Sequence, residues 1–387
     1  MNRVLAIVAL VCFASSLFVR SVDPVIPPIA ADLFVATSTA ALLSTAFAFP
    51  YAFVQPVLGA MADMMGKVRL MTACLLVLVL AGLVGAFATT FPVLLASRIV
   101  AGIASGGLFP IALALVGDLV PVGRRQVAIS RLLFAGMSGN LLGASGAGVI
   151  GDLIGWRGVF FATALVGAAV LVASVVSLRG VDSERPARFD LSVVAPNYRA
   201  IFGNPLAKIC FGAVFLEGIF LFGLFPYIAS LHYAAGETRA SIAGLVIAGF
   251  GVGGVIYTLV VAWLLSRIGV QRLMAGGGIL MGCALIVVAL RLPWPYEFVD
   301  FMLMGFAFYM LHGCVQVFVT ELAPEARGSS TALHSAFFFF GQALGPVVYG
   351  FGFAQVGVAA SLSVGAGVLA LTGITCASLL RHPVPMR

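Results

Sequence analysis

Hydrophobic residues in this chain come in long continuous runs, and polar residues gather in the short gaps between them. The first run is almost entirely apolar from Val4 to Val19. An α-helix of about 20 apolar residues matches the hydrocarbon thickness of a bilayer. The runs are continuous rather than short and alternating, so they predict membrane-spanning helices and not the strands of an outer-membrane barrel.

Charges and Gly/Pro clusters mark the ends of these runs. Glycines and prolines inside a run do not interrupt the prediction, because membrane helices tolerate both residues. The pattern predicts an all-α integral membrane protein with twelve transmembrane helices. Their bounds are about 4–29, 38–62, 70–90, 92–116, 127–151, 158–178, 206–231, 242–265, 272–291, 297–320, 330–354 and 358–380.

Composition excludes the soluble classes. Of the 387 residues, 62% are hydrophobic and only 9% are charged, which is too few charges to cover a soluble protein of this size. The six cysteines all fall inside apolar runs without a close pair, so neither a disulfide framework nor a metal site is expected. A cleaved secretory signal is an alternative for the N-terminal segment, but an uncleaved first span makes the helix count even.

Positive charge is concentrated in alternate loops. Sixteen of the 21 Lys and Arg residues lie on the side that holds the N-terminus, three lie on the other side, and Arg20 and Arg98 lie within spans. The positive-inside rule then predicts that both termini are cytoplasmic. The net charge of +7 follows from this topology, and no nucleic-acid partner is expected.

The longest polar stretch, residues 179–208, follows the sixth span. Its mixed charges and its prolines are typical of a solvated connector, with a regulatory role as the alternative. We therefore predict a six-helix bundle over 1–180, a cytoplasmic linker over 181–204 and a second six-helix bundle over 205–387.

The two predicted bundles are copies of one another. A shift of 203 residues superposes Gly66 on Gly269 and Arg69 on Arg272 in one pair of loops. The same shift aligns DLVPVGRR at 118–125 with ELAPEARG at 321–328. Six spans separate the paired loops, so both copies face the same side of the membrane and are related by an axis along its normal.

The motifs in these loops resemble those of the major facilitator superfamily of secondary transporters. GAMADMMGKVR resembles the family's loop between helices 2 and 3, and LLASRIVAGIASGG resembles its helix 4 motif around a buried arginine, here Arg98. GNLLGASGAG before GWR is similar to the helix 5 motif of the drug and metabolite:proton antiporters, with Ala144 in place of the proline. The resemblance covers the whole chain and implies the fold of two pseudo-symmetric six-helix bundles.

Gating residues are expected in two places. In the loop motif, Asp63 can receive Arg69 or a neighbouring basic group in one conformational state and release it in the other, which makes a bistable contact. Glycines at four-residue spacing let helix backbones approach closely and suit an interface between moving bundles, with ordinary helix packing as the alternative. The predicted gating set is Gly59, Asp63, Gly66, Lys67, Arg69, Gly139, Gly143, Gly341 and Gly345.

Ionisable residues within spans are costly and are therefore candidates for function. Asp23 lies three residues after Arg20, so a proton and the Arg20 guanidinium can compete for the Asp23 carboxylate. The resemblance implies Arg98 as a second partner of Asp23. A static ion pair that orients helix 1 is the alternative. Glu217 has no charged neighbour in sequence and could carry a proton or bind a cationic substrate, with a neutral, hydrogen-bonded structural role as the alternative.

Four further polar residues lie within spans and are candidates for lining a substrate cavity, although helix–helix hydrogen bonds explain any one of them. They are Gln55, Asn140, His312 and Gln316.

These features predict a proton-coupled transporter that exports a small organic compound or drug by alternating access, and not an enzyme. No phosphate-binding loop is present, so the proton gradient is the expected energy source and no cofactor is expected. The alternative is a uniporter or proton symporter that imports an organic anion held by Arg20 and Arg98; a membrane sensor without transport is a third class. We expect a monomer in the bacterial inner membrane, with protons, lipid and a small-molecule substrate as its partners.

Overall fold

The computed structural model describes residues 2–181 and 191–381, and every regular element in those two ranges is a helix. The helices of the first half are α1 (Asn2–Arg20), α2 (Ile26–Asp32), α3 (Thr37–Met65), α4 (Lys67–Ala86), α5 (Phe91–Leu119) and α6 (Val122–Ser177). A 3-10 turn at Asp23–Val25 joins α1 to α2.

The second half repeats this order after a short helix from the linker region. Its helices are α7 (Leu191–Gly203), α8 (Leu206–Phe220), α9 (Phe225–Ala234), α10 (Ala240–Ala289), α11 (Trp294–Glu321), α12 (Arg327–Gln355) and α13 (Val358–Leu379). A 3-10 turn at Phe222–Leu224 joins α8 to α9, and another at Pro324–Ala326 precedes α12. The predicted linker over 181–204 lies partly outside the described residues, and α7 is the part of it that is seen.

Ten helical segments in the described ranges are long and apolar enough to cross a membrane. Two of them, in α6 and α10, are about twice the length of one span, with 51 and 50 residues. Each is interrupted by one glycine with a non-helical backbone, Gly155 in α6 and Gly269 in α10. Each therefore supplies two spans, which agrees with the twelve predicted.

Single glycines make four of the connections between spans. Gly66, Gly155, Gly269 and Gly357 all have a positive φ, between 76° and 88°. A residue without a Cβ enters this region without steric cost, so the chain can reverse at one position. Gly66 and Gly269 are the glycines that the 203-residue shift superposes, so the backbone repeats where the sequence does.

The described chain divides into two compact units. The first contains residues 1–189 and 226–245, and the second contains 190–225 and 246–387. The second half of the seventh span thus belongs with the first unit. The predicted domain boundaries follow the sequence repeat, whereas the compact units follow packing.

The first span does not continue as one helix to residue 29. It ends at Arg20, because Pro24 has no N–H to donate and its ring excludes a regular helix before it. The chain resumes with the 3-10 turn, in which the Val25 amide donates to the Val22 carbonyl at 3.0 Å. Asp23 therefore begins a separate turn at the end of α1.

The glycine pairs predicted to lie between moving bundles pack inside a unit instead. A Cβ at Gly143 would lie 2.6 Å from the Leu17 carbonyl oxygen of α1, and Gly139 faces Phe13 of α1 in the same way. Gly345 would place a Cβ 2.6 Å from the Ile219 oxygen, and Gly341 faces Phe215. Because each pair fixes the helix that carries the charged residues, it sets the position of those residues.

Gly143→Ala is therefore expected to destabilise the first unit, by about 1–3 kcal/mol, because the new methyl group forces α6 away from α1. Gly146→Ala is the matched control, since a Cβ there would meet nothing within 4 Å. Thermal unfolding of the two purified variants in detergent measures the difference. Equal melting temperatures for the two variants would contradict the close packing.

Candidate functional site

A buried ion pair occupies the end of α1 in the first unit. Arg20 Nη1 donates to Asp23 Oδ2 at 3.2 Å, and Ser44 Oγ of α3 donates to Asp23 Oδ1 at 2.8 Å. Asp23 is fully buried, and Arg20 is 8% exposed. Both carboxylate oxygens of Asp23 are thus occupied by donors, which satisfies a charge that would otherwise be costly in a membrane span.

Arg98 of α5 lies beside this pair but bonds to backbone. It donates to the Phe18 carbonyl at 3.1 Å and to the Leu43 carbonyl at 3.4 Å, and its guanidinium lies 4.4 Å from the centre of the Phe47 ring. Its Nη2 atom is buried and has no hydrogen-bond partner among the described residues. The direct Arg98–Asp23 contact implied by the family resemblance is not formed; Arg98 instead ties the end of α1 to α3.

A second buried polar cluster lies in the second unit. His312 Nδ1 of α11 is 2.7 Å from Glu217 Oε2 of α8, and the Glu217 side chain is fully buried. The His334 ring of α12 lies 4.8 Å from the His312 ring, between centres. Glu217 Oε1 and His334 Nε2 are both buried, and neither has a hydrogen-bond partner in the described parts of the chain.

The sequence pointed to Glu217 and His312 separately and missed His334. The chain has only four histidines, and two of them lie against each other here, with His312 bonded to the carboxyl group. The signal that could have identified His334 was its position inside a predicted span, at the start of the run HSAFFFF. Their meeting depends on the packing of three helices, which spacing along the chain does not reveal.

Aromatic rings surround this second cluster. His312 stacks on Phe308 with centres 4.5 Å apart, and Phe338 lies 5.0 Å from His312. Phe222 contacts both phenylalanines, with ring centres 5.1 Å apart.

The charged positions of the first cluster are not repeated in the second half. The 203-residue shift places Gly223, Pro226 and Phe301 where the first half has Arg20, Asp23 and Arg98.

The other predicted cavity residues are dispersed. Gln55 is buried in α3 of the first unit, and Asn140 is exposed on α6. Gln316, one turn after His312 on α11, is also exposed. Only His312 of the four joins a cluster of ionisable groups.

In the loop between α3 and α4, an ion pair joins Lys67 to the end of α5. Lys67 Nζ binds Asp118 Oδ2 at the end of α5, while Arg69 is exposed. Gly59 and the side chain of Asp63 lie outside the described part of the structure, so the contact of Asp63 with Arg69 stays a prediction. The pair is not duplicated, because the shifted position of Lys67 is Val270.

Two carboxylates that the sequence did not single out form hydrogen bonds between different helices, at or near the helix ends. Asp32 accepts from Arg157 Nη1 at 2.6 Å and from Trp156 Nε1 at 3.2 Å, which explains the GWR sequence. Asp152 accepts from the backbone N–H groups of Ala240 at 2.7 Å and Ser241 at 2.9 Å, and so caps the start of α10.

The short loop before α10 carries its own ion pair. The guanidinium of Arg239 is hydrogen-bonded to the Glu237 carboxylate, and this contact lowers the pKa of Glu237 to about 2. Glu237 is therefore ionised near neutral pH.

A helical membrane protein with two repeated halves and buried ionisable groups in its spans has the features of a secondary transporter. The family model of the Major Facilitator Superfamily matches residues 8–346 and 228–387, so the chain belongs to this family. Proteins of this family are transporters and not enzymes.

Two relatives have named activities. A chloramphenicol resistance protein of Streptomyces lividans is 29% identical over 337 residues, covering 84% of this chain and 82% of that protein. A purine ribonucleoside efflux pump of Salmonella paratyphi B is 25% identical over 316 residues, covering 81% and 76%.

Solved structures with the same fold include a D-xylose-proton symporter, with a TM-score of 0.76, 16% identity and coverage of 99% of this chain and 98% of that one. A bacterial homologue of the lysosomal transporter Spinster has a TM-score of 0.70, 18% identity and coverage of 98% and 94%. At these identities the likeness concerns the fold.

Proposed function

We propose that this protein is a proton-coupled exporter of a small organic compound in the bacterial cytoplasmic membrane. The observation that carries the proposal is the fully buried Asp23, held by Arg20 and Ser44 at the end of α1. A carboxylate in this setting has two ways to be neutralised, the guanidinium of Arg20 or a proton. Alternation between them couples proton transfer to a movement of α1.

The proposed cycle uses competition at Asp23. The described geometry, with Arg20 bonded to Oδ2, corresponds to the deprotonated carboxylate. When the site opens to the outside, a proton takes the place of Arg20; when it opens to the cytoplasm, the proton leaves and the ion pair forms again. Glu217 is the second group that exchanges a proton, and the inner and outer openings alternate as in other members of the family.

Export is supported by the relatives. One is named an efflux pump for purine ribonucleosides, and another is named for resistance to chloramphenicol, and both compounds are small and aromatic. The phenylalanines around Glu217 and His312 fit a substrate of this kind.

A second candidate is the import of an organic anion bound by arginine. It is favoured by Arg98, whose buried Nη2 has no partner among the described residues. Arg20 opposes it, because that guanidinium is already bonded to Asp23.

Reconstituted proteoliposomes separate the candidates. With purified protein and an internal pH indicator, chloramphenicol or adenosine added on one side is expected to drive protons toward that side. Proton movement in the same direction as the compound would support import, and no proton movement with any tested aromatic compound or organic anion would refute proton coupling.

A further inference from the structure

We infer that the cluster of Glu217, His312 and His334 is the substrate site of this transporter and that it takes an aromatic amine as a monovalent cation in exchange for one proton. The inference rests on the proposed function for its role in transport, but its binding chemistry is independent of it. It is argued from the two orphaned polar atoms, the charge balance of the cluster and the aromatic rings around it.

The position of the cluster is suitable for a transported ligand. Along the helical rise, Glu217 lies roughly 16 Å from the start of α8 at Leu206, and His334 lies roughly 10 Å from the start of α12 at Arg327. A bilayer core is about 30 Å thick. The cluster is therefore near the middle of the spans, where transporters of this architecture bind their substrates.

The orphaned atoms point to a ligand with a hydrogen-bond donor. Glu217 Oε1 is buried without a partner, although Oε2 of the same carboxyl group is bonded to His312. An unsatisfied buried carboxyl oxygen destabilises the protein, and more so when it is charged. His334 Nε2, the second buried atom without a partner, belongs to the ring that lies against His312.

The net charge of the Glu217 cluster indicates that the hydrogen-bond donor of the ligand is a cation. The ionisable groups that interact with Glu217 in the described chain are His312 and the buried thiol of Cys376 on α13, His334 lies next to His312, and no Lys or Arg is bonded to Glu217. With one proton shared between Glu217 and His312 the cluster is neutral. Loss of that proton leaves an uncompensated negative charge in a membrane span, which is costly unless a cation arrives.

The cluster at the end of α1, in the first unit, has the opposite balance of charge. There one carboxylate, Asp23, faces two arginines, Arg20 and Arg98, so an added cation would be repelled. The two sites therefore differ in what they attract, and only the Glu217 cluster selects a positive ligand.

The surrounding rings define the rest of the ligand. Phe308 and Phe338 lie against His312 with centres 4.5 and 5.0 Å from it, and Phe222 contacts both. Phenylalanine faces attract cations and stack on flat aromatic groups. A flat ring system with a short aminoalkyl chain satisfies the rings and the carboxyl oxygen together.

The test uses three probes of one shape, namely tryptamine, the neutral indole-3-ethanol and the anion indole-3-acetate. Each is titrated into the purified full-length protein in lipid nanodiscs, and proton release is followed in weakly buffered solution. We expect tryptamine to bind about tenfold or more tightly than the alcohol, because its hydrogen bond to Glu217 is charge-assisted. About one proton should leave for each amine bound, as the exchange requires.

Glu217→Gln tests the site, since glutamine has the same shape and keeps a hydrogen bond with His312. The variant should bind the amine and the alcohol equally and release no proton. Glu321→Gln is the matched control; this carboxylate is half-exposed and paired with Arg327, so its loss should change neither value. Phe308→Leu, which leaves the carboxyl group intact, should weaken tryptamine binding about threefold while proton release is kept.

Equal binding of amine and alcohol to the wild type, or unchanged discrimination in Glu217→Gln with a wild-type melting temperature, would overturn the inference. These binding assays involve no pH gradient. Tryptamine binding at Glu217 without gradient-driven transport would refute the proposed function alone, and gradient-driven transport of neutral compounds without amine preference would refute this inference alone.

Discussion

Asp23→Asn is expected to abolish accumulation of substrate driven by a pH gradient while exchange of substrate across the membrane without a gradient continues. Asparagine has nearly the same shape as aspartate and can still accept from Ser44. It cannot take up a proton, however, and it cannot balance the charge of Arg20. The step in which a proton displaces Arg20 is therefore lost, while the helices that surround it are preserved.

The measurement is transport into proteoliposomes in two modes, with an imposed pH gradient and as counterflow without one. Asp32→Asn is the matched control, because Asp32 lies nine residues further along the chain in a half-exposed pair with Arg157. An exposed ion pair of this kind contributes about 1 kcal/mol or less. Full gradient-driven transport by Asp23→Asn would show that the Arg20–Asp23 pair is a static element that orients α1.

Arg98→Met has the second large expected effect, a loss of both transport and stability. Arg98 is 1% exposed, and it donates to carbonyl groups of α1 and α3 while it lies on the Phe47 ring. Methionine fills much of the volume but leaves these buried carbonyl oxygens unsatisfied. Removing one partner from a buried charged network costs about 3 kcal/mol or more, so the melting temperature should fall clearly.

Two further variants serve as comparisons for Arg98→Met. Arg327→Met removes an exposed arginine paired with Glu321 and should lower stability by about 1 kcal/mol or less. Arg98→Lys keeps the charge but lacks the planar fork that reaches two carbonyl groups, so it should be intermediate. If Arg98→Met melts and transports like Arg327→Met, the arginine does not hold the end of α1 in place.

The number and nature of the spans could be predicted from the sequence because a bilayer imposes a strong and local requirement. A backbone in hydrocarbon must satisfy its own hydrogen bonds, so a run of about 20 apolar residues has one available structure. The repeat was also readable, since Gly66 and Gly269 must both adopt a positive φ for the chain to turn. The ends of helices were less predictable, as the early end of α1 at Arg20 shows.

The partners of the buried polar groups could not be read in the same way. Arg20 and Asp23 are neighbours in sequence, and their pairing was predicted and is seen. The contact between Glu217 and His312 joins residues 95 positions apart, and His334 comes from a third helix. Asp152 likewise caps a helix that starts 88 residues later. Such contacts depend on how helices rotate and tilt against each other.

The amino-acid pattern alone predicts a membrane protein of twelve spans in two related halves, and it identifies the few charged groups inside the spans as candidates for function. Which of those groups meet depends on the packing of the helices, because the hydrophobic pattern of a membrane helix favours lipid on every side and does not specify its neighbours. Close contacts at small residues such as Gly143 and Gly345 select the neighbours. They thereby place Asp23 against Arg20 with Arg98 nearby, and Glu217 against His312 among aromatic rings.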